Sequence, residues 1–383
     1  MKILFCNYEY PPLGGGGGVI NALLAEELAK RHDVSVITSR CLDLSPEETR
    51  NGVRIMRVPV PFRRHMAAAN IPSLVAFVAQ GIRYGRDIVR RERPDIINTH
   101  FALPSGPVGD VLAQEIGCPN ILSVHGGDLY DPSRWTSPHK HWLLRKWIAH
   151  LMRKADRVVG QSADTVRRAH TYYVPGLKTD QIPLGIARPP RIDADRKDWG
   201  FGDEDVILVT VGRLVGRKSI DQLIEMMPHL PEGVRLMIVG DGPMRPELQA
   251  LSESLGINHR VRFMGSVSEL DKFRLLKVSD VFVSTSQHEG FGLVFLEAMA
   301  SNLPVVSYDK GGQTDFLEDG VTGRLIRVGQ RETFKKALLD LLADPGRYKA
   351  MARRNQEIVE AFYIEHCARQ YEELFEATLE GRQ

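Results

Sequence analysis

Apolar residues in this chain fall into short runs, separated by stretches in which they recur at helical spacing. Residues 3 to 7 and Val34 to Thr38 are such runs, and between them Val19 to Lys30 places its apolar residues with the period of a helix. This is the pattern of a β-α-β unit. Further strand-like runs occur at Ile96 to Asn98, Asn120 to Val124 and Arg157 to Gly160, with helical stretches between them, as a mostly parallel sheet requires.

Proline and glycine then concentrate between Ile182 and Pro190, followed by the polar segment Asp193 to Asp205, which marks a linker. After it the alternation restarts. Strand-like runs at Val206 to Val211, Arg235 to Val239, Val261 to Met264 and Val281 to Ser284 alternate with helical stretches at Ser219 to Met227, Met244 to Leu255 and Glu269 to Lys277. The predicted fold class is α/β, with two Rossmann-like doubly wound domains facing across a cleft. Their expected limits are 1–185 and 186–364. One last helical stretch, Gln356 to Leu379, carries Tyr371, Leu374 and Phe375 on one side and is expected to bring residues from about 365 to 383 back onto the first domain. Ligands of open α/β sheets bind at the C-terminal ends of the strands, so the site is expected between the domains.

Composition excludes more than it selects. With 383 residues, 43% hydrophobic residues and a net charge of +2, the chain reads as an ordinary globular protein, and no nucleic-acid partner is expected. Four widely spaced cysteines form no C-x-x-C pair, which argues against a zinc knuckle or a disulfide framework. No apolar run approaches the ~20 residues of a membrane span, and the first residues lack a signal-peptide core. A cytoplasmic location is expected, with at most peripheral attachment at a membrane surface. Charge is unevenly distributed: residues 1–185 hold 24 lysines and arginines against 17 acids, and the remainder 26 against 31. Between Arg50 and Arg93, ten arginines accompany only Asp87 and Glu92. That segment is either a solvated helix face or a surface for anionic lipid or a phosphate-bearing acceptor.

Three motifs carry chemistry. The run Pro11-Pro12-Leu13 followed by Gly14 to Gly18 lies between the first strand and its helix, where Gly16 and Gly17 can bring backbone amides to an anion; ordering such a loop is costly, so it is expected to be mobile without ligand. It lacks the Lys-Ser or Lys-Thr of a Walker loop and the spacing of a dinucleotide fingerprint. Gly212-Arg213-Leu214-Val215-Gly216-Arg217-Lys218 sets cations at the end of a strand, where they can neutralise a pyrophosphate. Glu289-Gly290-Phe291-Gly292-Leu293-Val294-Phe295-Leu296-Glu297 places two glutamates either side of a helix start, where free amides can hold phosphate or sugar oxygens and the carboxylates can accept hydroxyls; the bland alternative is a helix cap and a surface glutamate. His125 stands among glycines at the end of a strand-like run and is either a site residue or a hydrogen-bonded structural one. Asp193-Ala194-Asp195, Asp203-Glu204-Asp205 and His139-Lys140-His141 read as surface groups, and no metal site is expected.

Taken in order along nearly the whole chain, the glycine loop, Gly212-Arg213 with Lys218, Val239-Gly240-Asp241-Gly242-Pro243 and the E-x7-E segment resemble family 4 of the retaining GT-B glycosyltransferases. The resemblance implies that Arg213 and Lys218 hold the pyrophosphate of a nucleotide-sugar donor, helped by amides from Gly290 and Phe291 to Gly292 and Leu293. It implies that Glu297 binds the ribose, and that Glu289 and His125 sit beside the transferred sugar. It further implies retention of configuration, no metal cofactor, a UDP-sugar ahead of a GDP-sugar, and a lipid-linked, carbohydrate or small-molecule acceptor. Two positions depart from the family pattern: Leu184-Gly185-Ile186-Ala187 replaces a frequent Asn-Gly-Val-Asp turn, and Ser219 stands where glycine often follows the lysine. The rival readings are a nucleotide-sugar epimerase of the same fold and a catalytically silent nucleotide-sugar binder.

Overall fold

The structure is a computed structural model. It describes residues 1–41, 44–63, 66 and 69–382, with Pro345 described by its backbone alone. The chain forms two compact units, one made of Met1–Ala187 and Phe362–Gln383, the other of Arg188–Ala361.

The first unit runs β1 (Lys2–Cys6), α1 (Gly16–Ala29), β2 (Asp33–Arg40), β3 (Glu47–Arg50), β4 (Val53–Pro59), α2 (Ile71–Glu92), β5 (Ile96–His100), α3 (Ser105–Ile116), β6 (Asn120–Val124), α4 (Trp142–Lys154), β7 (Arg157–Gly160), α5 (Ala163–Tyr172) and β8 (Asp180–Gln181). Among the described residues these strands form one sheet in the order β3-β4-β2-β1-β5-β6-β7-β8. All neighbours are parallel except β3 on β4. Every residue of β5 and β6 is buried, as expected of a sheet covered on both faces. Alternation along β1 sorts the two cores: Ile3 and Phe5 pack with Leu24 and Leu28 of α1, and Leu4 and Cys6 with Phe77 of α2 and Val108 of α3.

The second unit runs β9 (Val206–Val211), α6 (Ile220–Met226), β10 (Val234–Val239), α7 (Arg245–Ser254), β11 (Val261–Gly265), α8 (Glu269–Val278), β12 (Val281–Ser284), α9 (Leu293–Ala300), β13 (Val305–Tyr308), β14 (Gly323–Ile326), α10 (Arg331–Leu342) and α11 (Pro345–Val359). Its strands form a wholly parallel sheet in the order β11-β10-β9-β12-β13-β14. The chain then returns to the first unit as α12 (Ile364–Glu380), whose Tyr371, Leu374 and Phe375 enter the core formed by Ile3, Phe5 and Val34.

Two sequence expectations are corrected, and one segment is seen in more detail. The stretch Gln356 to Leu379 is not one helix but the end of α11 and most of α12. Tyr363 between them is extended (φ −75°, ψ 152°), and Ile186 bonds across the break, its amide donating to Phe362 O at 2.9 Å and its carbonyl accepting from the Ile364 amide at 2.9 Å, so the bonds that would continue the helix go elsewhere. The glycine run is not all loop, because α1 begins at Gly16. The arginine-rich segment from Arg50 to Arg93 is largely neutralised: Arg54 meets Glu92 at 2.9 Å, Arg57 meets Glu48 at 2.7 Å, and Arg86 and Arg90 share Glu115 at 3.2 and 2.5 Å. Arg64, of the same segment, lies outside the described residues. No helix among the described residues is long and apolar enough to cross a membrane.

Candidate functional site

Both sheets reverse their winding once, and the predicted site residues gather at those two switch points. In the second unit the reversal lies between β9 and β12, which are neighbours, so the loops after Val211 and Ser284 emerge side by side. The first loop carries Arg213, Arg217 and Lys218, the second Glu289. The two loops are joined directly, the Gln287 amide donating to Arg217 O at 2.9 Å, and each is pressed by a further loop: a Cβ on Gly240, after β10, would come within 2.0 Å of Gly212 O, and one on Gly311, after β13, within 2.2 Å of Glu289 O.

Glu289 is the electrostatic centre of this cluster. Its Oε1 accepts from Lys218 Nζ and its Oε2 lies 3.4 Å from the Arg217 guanidinium, which also donates to His288 O at 3.0 Å. Burial alone would raise the carboxyl, but the charges of Lys218 and Arg217, with hydrogen bonds from Lys218 and Ser286, outweigh it and hold the pKa down at about 2. Glu289 is therefore a permanent anion, and an ion-paired group in place of a helix cap. Arg213 is exposed and has no side-chain partner among the described residues. Two cations thus stand against one carboxylate, with Arg213 on the same loop as both, and the excess of positive charge suits an anion. No side chain caps α9, so its first turn adds to that preference.

Glu297 on α9 is half-buried, not exposed. Its Oε1 meets Lys272 of α8 at 2.8 Å, while Oε2 is buried without a partner among the described residues. Burial raises its pKa, and Lys272 opposes that rise. Sequence reasoning missed Lys272; its 25-residue separation from Glu297 leaves no local signal. It also passed over Arg217 as a partner of Glu289, although the residue lay in plain view beside Lys218. Ser219 takes a left-handed backbone, φ 47°, which explains why glycine is common at this position; Thr285 Oγ1 donates to its carbonyl at 2.7 Å and holds it.

In the first unit the reversal lies between β1 and β5. Gly16 and Gly17 form the first turn of α1 just after β1; no side chain caps the helix, and their amides find no partner among the described residues. Gly17 is required by packing, since a Cβ there would lie 2.4 Å from Phe101 Cζ, just past the end of β5. Phe101 in turn stacks on His125, ring centroids 4.3 Å apart. His125, after β6, is buried. Its Nε2 shares a 2.8 Å hydrogen bond with Nδ1 of His100, its amide donates to Asp128 at 2.9 Å, and its carbonyl accepts from Gln161 at 2.5 Å.

Burial holds His125 down at about 4, against a weak upward pull from Gln161, so its imidazole is neutral at neutral pH. His100 is lowered well below its ordinary value by burial and by His125. Burial pushes the Asp128 carboxyl up to about 6, although four backbone amides, including those of Ala102 and His125, work to lower it. His100 was not singled out from the sequence; the available clue was that both histidines close neighbouring strands. The other candidates serve local roles. Asp195 accepts from the Lys197 amide at 2.9 Å, Asp205 pairs with Arg235 at 3.1 Å, His139 packs on Tyr130 and His141 bonds Trp135 O at 2.7 Å.

Comparison with known proteins agrees with this geometry. Residues 15–185 match the model of a glycosyl transferase 4-like domain, and residues 191–358 that of the glycosyl transferases group 1. Among curated relatives, the N-acetyl-alpha-D-glucosaminyl L-malate synthase of Bacillus anthracis is 28% identical over 96% of this chain and 94% of its own length. The putative glycosyltransferase EpsD of Bacillus subtilis is 30% identical over 66% of this chain and 68% of its own. Among solved structures, sucrose-phosphate synthase from Thermosynechococcus elongatus superposes with a TM-score of 0.88 at 23% identity, covering 100% of both chains. Anabaena HepE, in complex with UDP and glucose, gives 0.80 at 21% identity over 98% of this chain and 100% of its own. These two likenesses concern the fold, which is of the GT-B type. The chain belongs to the group 1 glycosyltransferases.

Proposed function

We propose that this protein is a retaining, metal-independent glycosyltransferase, moving a hexose or N-acetylhexosamine from a nucleotide diphosphate sugar to a hydroxyl of an acceptor. A UDP-sugar is the favoured donor and a GDP-sugar the alternative. The observation that carries the reading is the pairing of Arg217 and Lys218, on the loop that also carries Arg213, with a single carboxylate just ahead of the uncapped start of α9. Breaking the bond from the anomeric carbon to the phosphate leaves a diphosphate anion and an oxocarbenium-like sugar, so stabilising the departing diphosphate is the largest catalytic contribution. Cations and helix amides supply that charge, which removes the need for a metal.

In this reading Lys218 exchanges its contact with Glu289 for the phosphate, and Glu289, freed of one partner, accepts sugar hydroxyls. Oε2 of Glu297 takes a ribose hydroxyl. Glu289, ionised down to about pH 2, and His125, neutral above about pH 4, are both poor proton shuttles near neutrality. That favours attack by the acceptor oxygen on the face of the leaving group: the new bond forms to the anomeric carbon, the bond to phosphate breaks, and the acceptor proton passes to a phosphate oxygen. The glycine amides of α1 and the imidazole of His125 contribute hydrogen bonds from the first unit. A cytoplasmic location suits the four unbridged cysteines.

Calorimetric titration with UDP, GDP and ADP, first without metal and then with Mg²⁺, tests the proposal on the wild type and on Lys218→Ala. Metal-free binding of one nucleotide, abolished by the substitution, is expected. Binding of none of the three overturns the transferase reading. An epimerised sugar formed from the donor in the absence of acceptor replaces it with the epimerase.

A further inference from the structure

The charge asymmetry of the first unit has a second source, away from the neutralised segment around α2. From Pro132 to Ala155 the chain holds Arg134, Lys140, Arg145, Lys146, Arg153 and Lys154 and not one acid. Within this stretch four large apolar side chains stand in solvent: Trp135 is 74% exposed, Trp142 and Leu143 63% each, and Trp147 42%.

These side chains share a surface for a geometric reason. On α4, Ile148, Ala149, Leu151 and Met152 are buried against Leu122 and Val124 of the sheet. Residues 142, 143, 146, 147, 150 and 153 then fall on the outward face at helical spacing. Trp142, Leu143 and Trp147 therefore alternate with Lys146, His150 and Arg153. The Lys146 ammonium lies 4.8 Å over the Trp142 ring. Lys146 and Arg153 have no carboxylate partner among the described residues. Trp135 joins the group through the loop, where its carbonyl bonds His141 at 2.7 Å.

We propose that this face of α4, with Trp135, docks the protein on an anionic lipid surface. Exposed tryptophans interleaved with unpaired cations match the boundary of such a bilayer, where indole rings settle at the level of the headgroups and lysine and arginine meet their phosphates. The absence of acids over the whole stretch gives the charge complementarity, and Leu143 and the tryptophans give the face an apolar part that a purely electrostatic partner would not use. The proposal does not rest on the transferase reading. Joined to that reading, it brings the strand end that carries His125 close to acceptors anchored in a bilayer, since the loop after His125 leads straight into this face.

Three of the four tryptophans belong to the patch, so intrinsic fluorescence reports its environment directly. Vesicles of phosphatidylglycerol with phosphatidylcholine are expected to shift the emission to the blue and to sediment the protein, and vesicles of phosphatidylcholine alone are not. Binding is expected to fall roughly thirtyfold in Lys146→Gln/Arg153→Gln, to be released by salt, and to be lost in Trp142→Ala/Leu143→Ala. All four positions are exposed, and unchanged urea unfolding of these variants shows that the protein is intact. No binding to the anionic vesicles overturns the proposal. So does equal binding to both vesicle types, concentration-dependent dimerisation abolished by the same substitutions, or retention on a single-stranded oligonucleotide without vesicle binding.

Discussion

At the C-terminal edge of its sheet the second unit gathers two cations around one buried carboxylate, while the first gathers two buried imidazoles and a helix start made of glycine. Both are polar clusters taken out of water, and they meet the cost of burial in opposite ways. Glu289 stays charged because Lys218 and Arg217 stay with it. His125 and His100 lose their charge and keep one hydrogen bond between them. A charged cluster can exchange partners with an incoming anion, and a neutral one offers fixed hydrogen bonds to an uncharged ligand. The division suits a reaction in which one partner is a diphosphate and the other a hydroxyl.

The strongest way to break this contrast is Lys218→Ala. It leaves a buried carboxylate with only the more distant Arg217, and the expected loss is roughly 3–5 kcal/mol of stability by urea unfolding, with transfer down by on the order of a hundredfold or more. If stability holds and only activity falls, Glu289 does not depend on Lys218. Arg213→Ala sharpens the same point from the other side. Transfer is expected to fall on the order of a hundredfold, while stability changes by no more than about 0.5 kcal/mol, because the exposed side chain has no partner to lose. A large stability change would show that Arg213 is structural.

The first unit is probed by pH. Its two histidines are depressed, so below the ordinary value of 6.5 the unfolded chain binds protons that the native unit refuses; stability present above pH 6.5 is lost as pH falls toward 4. Asp128, raised from 3.8 to about 6, acts the other way. Two groups against one leave a net loss of stability as pH falls from 7 to 5. Urea unfolding at the two pH values measures it, and His125→Asn should flatten the dependence; an unchanged slope would mean that His125 titrates normally. The smallest effect is expected from Ser219→Gly, which relieves a left-handed backbone and should stabilise the second unit by up to about 1 kcal/mol by the same unfolding assay, with transfer unaffected. A loss of stability there would mean that the serine hydroxyl, which donates to Gly216 O at 3.2 Å, outweighs the strain.

Much of the architecture was legible because buried parallel strands leave unbroken apolar runs. β5, β6, β9 and β12 were readable for this reason, and with them the α/β class. The β3–β4 hairpin was not. Glu47-Glu48-Thr49-Arg50 is polar throughout, Val53 to Pro59 is interrupted by Arg54 and Arg57, and the best signal was the Asn51-Gly52 turn, whose residues take φ 49° and 82°. Chemistry was legible where residues are neighbours in sequence, as in Arg213 to Lys218 and Glu289 to Glu297. What could not be read was pairing at a distance, such as Lys272 with Glu297, Arg217 with Glu289 and His100 with His125, which depends on which loops the sheets bring together. The exposure of Trp142 and Trp147 was hidden for a related reason, since an apolar residue at helical spacing shows its face only once the buried side of α4 is known.

The return of α12 into the first core has a consequence for how the protein is made. Synthesis delivers residues 188–361 as one uninterrupted length, so the second unit has its whole sequence in hand before translation ends. The first unit, begun earlier, must wait for Tyr371, Leu374 and Phe375 to leave the ribosome before Ile3, Phe5 and Val34 are covered. The half of the protein that is started first is the half that is finished last, and until then its open apolar face is the one a chaperone would hold.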